Sequence, residues 1–235
     1  MAKNPGRIMP LSEVLPVNEP SIASTLTSQE LYAAPDEVAS HVFTLDDAPS
    51  GIYELNVSAA RKGRLSITII GSVAPSAKIE IVMRVSGEGE IAIDRTLKCI
   101  AEKAAYTMTT VGILEQNAKV HVSDVLRVIE DRATVVVRSR LVFKDEASGD
   151  VRAYMRIAKA SKGITAKEDL RALMLGNGNR VQCIPELRVE TKDCTATHAS
   201  TLARPEARQV QYLAAHGFTK SQAEAYIAEA FTQSV

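Results

Sequence analysis

The sequence predicts an all-β chain wound as a parallel β-helix and followed by a two-helix hairpin. Three observations carry that expectation. From Ile52 onward, apolar residues alternate with polar ones at the period of a half-buried strand. Isoleucines recur at a spacing of twelve, with Ile67, Ile79 and Ile91 in one series and Ile69, Ile81 and Ile93 in the other. After Pro205 the period changes to that of helices. Short strands at near-regular intervals also suit a β-sandwich or a barrel. The twelve-residue register favours the coil, because equal spacing stacks like residues in successive layers.

Residues 1–50 read as a lead-in arm. Prolines at positions 5, 10, 16, 20, 35 and 49 forbid long helices and interrupt ladders. Leu31, Tyr32, Val38, Val42, Phe43 and Leu45 can pack against the chain downstream, so one or two edge strands are expected there. The β-helix core is assigned to 51–200. Its first strands are Ile52–Val57, Leu65–Ile70, Lys78–Val82 and Glu90–Ile93. Turn signals separate them at Lys62-Gly63, Gly71-Ser72, Pro75-Ser76 and Gly87-Glu88-Gly89. Further strand-like runs lie at Tyr106–Leu114, Lys119–Val122, Ala133–Phe143, Val151–Ile157 and Leu187–Val189, while Asp169–Leu175 fits a helical turn or a strand equally well.

Residues 201–235 form the helical region. Pro205 suits the first helical turn, where its missing N–H costs nothing. Val210, Leu213 and Ala214 make an apolar stripe, and Gly217 supplies the stop. Thr219 to Gln222 fits a capping box, with Ala223, Tyr226, Ile227, Ala230 and Phe231 at helical spacing behind it. Such a hairpin either covers the last core layer or docks a partner.

Composition narrows the function. Lys plus Arg number 28 and so do Asp plus Glu, a balance that argues against a nucleic-acid binder. With 4% aromatics and no Trp, the core must be aliphatic. No apolar run approaches the roughly 18 residues of a membrane span, and the N-terminus lacks a secretory apolar region. Three cysteines are not a disulfide framework, so a reducing, cytoplasmic setting is expected. No Ser/His/Asp order, paired-carboxylate spacing or HExxH helix points to an enzyme. Gly176-Asn-Gly178 lacks the lysine and helix of a phosphate loop and reads as a turn.

The concentrated chemistry lies between Cys183 and His198. An imidazole and a thiol are borderline and soft donors, which makes His198 the first candidate ligand there and Cys194 the second. On a strand, positions 194, 196 and 198 share a face. Cys194 and His198 then stand about 13 Å apart at a rise of roughly 3.3 Å per residue. That is too far for one ion unless the strand turns or bulges. Cys183 and Cys99 read as packing residues, and His121, Glu186 and Glu190 as members of a solvated face.

Arg140–Ala147, Gly149–Ile157, Ala160–Leu175, then Pro185-Glu-Leu-Arg-Val and Thr197-His-Ala-Ser-Thr resemble the core of the SufB/SufD family, the scaffold subunits of SUF iron–sulfur cluster assembly. Tyr212-Leu-Ala-Ala-His-Gly-Phe218 stands in place of the family's tyrosine-leucine-arginine-glycine block, and Ala223–Phe231 in that of its final helix. The resemblance implies a right-handed parallel β-helix and pairing with a like subunit, as a homodimer or a heterodimer. It implies helices docked on a SufC-like ABC ATPase, for which Tyr212, Leu213, Phe218, Tyr226 and Phe231 are the candidate contacts. A transient iron–sulfur cluster at the subunit interface and a cysteine desulfurase as sulfur donor are implied by the same likeness. His198 falls on the family's histidine, whereas Ala196 replaces the cysteine two residues before it. That departure suits a SufD-like or reduced member, or a structural paralogue that only supports assembly.

Overall fold

The structure is a computed structural model that describes residues 9–10, 25–46 and 48–234; the side chain of Cys99 lies outside the described ones. Among the described residues, fourteen strands and two helices succeed one another. The strands are β1 Met9–Pro10, β2 Thr25–Ala33, β3 Val38–Thr44, β4 Gly51–Ala59, β5 Arg64–Val73, β6 Lys78–Gly87 and β7 Glu90–Ile100. Then come β8 Ala105–Leu114, β9 Lys119–Val128, β10 Thr134–Phe143, β11 Ser148–Ile157, β12 Ile164–Met174, β13 Arg180–Val189 and β14 Cys194–Ala203. The helices are α1 Ala207–Ala215 and α2 Lys220–Gln233.

Odd strands form one seven-stranded sheet and even strands the other, in sequence order within each. The paired strands run parallel, for example β5 with β7 and β10 with β12. The chain is therefore a parallel β-solenoid in which each turn gives one strand to each sheet. A sandwich with hairpin pairing is excluded, because no chain neighbours pair within a sheet. The strands β2 and β3, within the expected lead-in, pair in register with β4 and β5. The ambiguous stretch Asp169–Leu175 belongs mostly to strand β12.

The twelve-residue isoleucine spacing proves to be half a turn. Ile67, Ile79 and Ile91 lie on β5, β6 and β7, alternating between the sheets. The stacking partner lies a full turn away: Ile67 sits beside Ile93, and Ile81 beside Met108. The turn lengthens along the coil, from 26 residues between Thr25 and Gly51 to 32 between Ser148 and Arg180. All six isoleucines are nonetheless buried.

Alanines form the corners. Ala77 bonds back to Ala74, Ala104 to Ala101 and Ala147 to Lys144, each closing a four-residue turn. Ala104, Ala118, Ala133 and Ala147 are at most 1% exposed, so a larger side chain has no room there. Residues in the left-handed region, among them Lys62, Ser76, Lys103 and Arg132, reverse the chain at these corners. Successive corners also bond to one another, Lys103 to Asp131 and Arg132 to Lys162.

Helix α1 begins after Glu206, so Pro205 lies one residue ahead of the cap and outside the helix. Thr219 and Gln222 form the expected capping box of α2, and Gly217 takes φ 91° at the end of α1. The hairpin does not cover the last core layer. Ala228 of α2 packs on Val142 and Leu173, on the outer face of the even sheet, with Phe231 and Ile227 beside it.

Candidate functional site

The solenoid ends on β13 and β14, the terminal strands of their sheets. Their inward residues lie directly above those of the preceding layer: Cys183 above Val151, Leu187 above Met155, Cys194 above Ile164 and Ala196 above Ala166. The lower four are at most 2% exposed. The upper four are only partly buried and pack on the core from one side. The coil thus stops with an apolar layer and two thiols uncovered.

His198 sits on this layer. Its register partner on β12 is Glu168, and neighbours in a parallel pair point to the same face. Glu168 shares parity with Ile164, Ala166 and Leu170, all buried, so both side chains point into the coil. His198 is exposed and makes no hydrogen bond or ion pair to a described residue. Glu168 is 1% exposed, and neither carboxyl oxygen has a partner among the described residues. Burial pushes its carboxyl up to about 8, and the charges of Asp124 and Glu186 add to the effect.

A polar cluster lies deeper in the coil. Arg95 donates to both carboxylate oxygens of Asp124, at 2.5 and 2.7 Å, and to Thr110 Oγ1 at 2.9 Å. Its Nη1 also lies 3.1 Å from Met83 Sδ. Arg95 and Asp124 are 2% and 4% exposed. This pair is a satisfied internal bridge, whereas Glu168, one turn from the end, has no countercharge among the described residues.

Strand β14 keeps unbroken register with β12 from Ile164 to Leu173, with no bulge. Cys194 and His198 therefore stay four residues apart on a straight strand and do not converge on one ion. Cys183 faces the core from β13, and burial, with the Asp150 charge behind it, pushes its thiol up to about 11. Among the described residues, no three His, Cys, Asp or Glu side chains are gathered closely enough to hold a metal. His121 is exposed on the outer face, 3.7 Å from Asp150. Glu190 is tied to Arg156 and Arg188 at 3.0 and 2.8 Å. Glu168 escaped the sequence reading, although its parity with Ile164 and Leu170 was the signal. A carboxylate on the apolar parity of a strand should face the core.

A more apolar concave surface lies between the helices and β14. Tyr212, Leu213, Tyr226, Ile227, Phe231 and Ala203 line an apolar groove of about 870 Å³. Tyr212 and Tyr226 are 64% and 56% exposed. Phe218 stacks obliquely on Tyr226, ring centres 5.9 Å apart. No residue of α1 is buried, so this helix stands away from the core.

Fold and site define a parallel β-solenoid with an open last layer, nitrogen and sulfur donors at that end, and an apolar helical groove beside it. Residues 40–231 match the family described as SUF system FeS cluster assembly, SufBD core domain. The chain belongs to that family, and so to the SUF system of iron–sulfur cluster assembly. It is also similar to the iron-sulfur cluster assembly protein SufD of Bacillus subtilis (strain 168), at 31% identity over 94 residues. The match covers 40% of this chain and 22% of that protein. Among the described residues no helix is long and apolar enough to cross a membrane.

Proposed function

We propose that this chain is a non-catalytic scaffold subunit of SUF cluster assembly that works in the cytoplasm. One observation carries the reading: the solenoid leaves its last apolar layer uncovered, with His198 exposed on it and Cys194 four residues earlier on the same strand. Covering that layer with a like subunit removes apolar area from water, at about 25 cal/mol per Å². It also brings donors from two chains together, which one chain with three cysteines cannot do alone. The stiff ladder holds those donors in fixed positions, as a shared ligand site requires. In this reading residues 51–200 are the frame and 201–235 the docking region. The exposed Tyr212 and Tyr226, with Leu213, Phe218 and Phe231, form the surface for a SufC-like ABC ATPase. ATP-driven movement of that partner would reach the ligand layer through the hairpin, and a cysteine desulfurase would supply sulfur. The iron–sulfur cluster is cargo, held transiently between subunits.

The test is co-expression with the ATPase and the paired subunit, followed by iron and acid-labile sulfide analysis. His198→Ala is expected to lower both while the complex stays assembled. Equal loading with and without His198 removes it from the mechanism. A second reading has its own support in Ala196, which stands where the family carries a thiol. There the chain is a structural paralogue that contributes area and no ligands. Unchanged cluster content after loss of His198 and all three cysteines, with assembly intact, selects it.

A further inference from the structure

We propose that Glu168 and His198 together form a divalent-cation site at the mouth of the solenoid, which takes a bare ferrous ion before a cluster is built between the subunits. The identity of the cargo rests on the scaffold reading above; the pairing of the two residues rests on the register alone.

Glu168 and His198 are direct partners on adjacent parallel strands, both pointing inward. Side chains so placed start about 5 Å apart, close enough for a carboxylate and an imidazole to share one ion. Glu168 is 1% exposed, and both its oxygens lack partners among the described residues. The buried guanidiniums of Arg95 and Arg140 are already engaged, by Asp124 and Asp169. Burying a carboxylate without a partner is costly, and a bound cation offsets that cost. The electrostatics point the same way, since Asp124 and Glu186 are the charges acting on Glu168 and both are negative.

The donor types decide what is bound. Imidazole nitrogen and carboxylate oxygen suit iron(II), manganese and zinc, whereas iron–sulfur clusters are held mainly by thiolates. Neither described thiol converges here: Cys194 is four residues away along a straight strand, and Cys183 lies on the opposite sheet. Two donors from one chain leave most of the coordination sphere open. Water, sulfide or a facing subunit can enter those positions without displacing a protein ligand.

The test uses the full metal-free chain under anaerobic conditions, titrated with Fe²⁺ by calorimetry and with Co²⁺ by visible absorption. Glu168→Gln, which keeps shape and removes charge, and His198→Ala are each expected to weaken binding by at least about tenfold. Glu168→Asp should fall between them and the parent. Cys183→Ser should bind like the parent, and thermal melting in the absence of metal confirms that each variant is folded. Parent-like binding by Glu168→Gln overturns the inference; if His198→Ala still fails there, the scaffold reading survives without Glu168. Binding lost in Cys183→Ser but kept in Glu168→Gln overturns it as well.

Discussion

Arg95 on β7 and Asp124 on β9 meet inside the solenoid as a two-bond ion pair, on residues that are register partners one turn apart. Their position among aliphatic layers sets the consequence. Burying two charges costs several kcal/mol each, and only mutual pairing with further hydrogen bonds, here from Arg95 to Thr110, returns it. Asp124→Ala, which strands the guanidinium, is expected to destabilise the fold by about 3–5 kcal/mol in urea denaturation. The double replacement Arg95→Met with Asp124→Leu should cost far less than Asp124→Ala, because no charge is left unpaired. A double variant as unstable as the single one would refute this account.

Glu168 makes stability depend on pH. Its folded carboxyl titrates near 8, against an ordinary value of 4.5. Between those values the folded state holds a proton that the unfolded state has released. Stability therefore falls as pH rises from about 4.5 to 8, and the fall ends above 8. Glu168→Gln removes that slope. In metal-free protein its advantage over the parent should grow from pH 5 to pH 8, reaching on the order of a few kcal/mol. Parallel urea-denaturation curves for the two proteins across that range would show the carboxyl is ordinary.

Attachment of the hairpin rests on a small patch. Ala228 is fully buried against Val142 and Leu173. Ala228→Glu places a charge there with no partner and is expected to release α2 from the sheet. Hydrogen exchange should then quicken across Lys220–Gln233 while strands β8 to β12 keep their protection. Quickened exchange throughout the sheet would mean the hairpin is part of the core's stability.

Leu187 probes the open layer. It is only partly buried, on the terminal strand β13. Leu187→Asp should cost the isolated chain no more than about 1 kcal/mol, since the site is open on one side. It should nevertheless abolish pairing through this end, read by light scattering as a shift toward monomer. An assembly unaffected by Leu187→Asp places the subunit contact elsewhere.

Much of this was legible in the residues. Alternation marked the strands from Ile52 to Ile157, because a strand buried on one face must alternate. The capping box at Thr219 and the stop at Gly217 marked α2 and the end of α1, because those features are local. The corner alanines were equally visible, as Ala74–Ala77 and Ala101–Ala104, and their spacing would have given the full turn directly. The site was harder. His198 and Cys194 were singled out as candidates by residue type, but Glu168 acquired meaning only as the neighbour of His198 thirty residues on.

The order of apolar and polar residues by itself determined that the chain forms strands, where it turns, and that it ends in two helices, since period and turn chemistry act over a few residues. Only the tertiary structure decided which strands lie side by side, that the hairpin flanks the sheet and leaves the last layer bare, and that a buried carboxyl sits beneath His198. Those facts depend on the length of each turn, and a change of one residue in that length would reassign every neighbour along the coil.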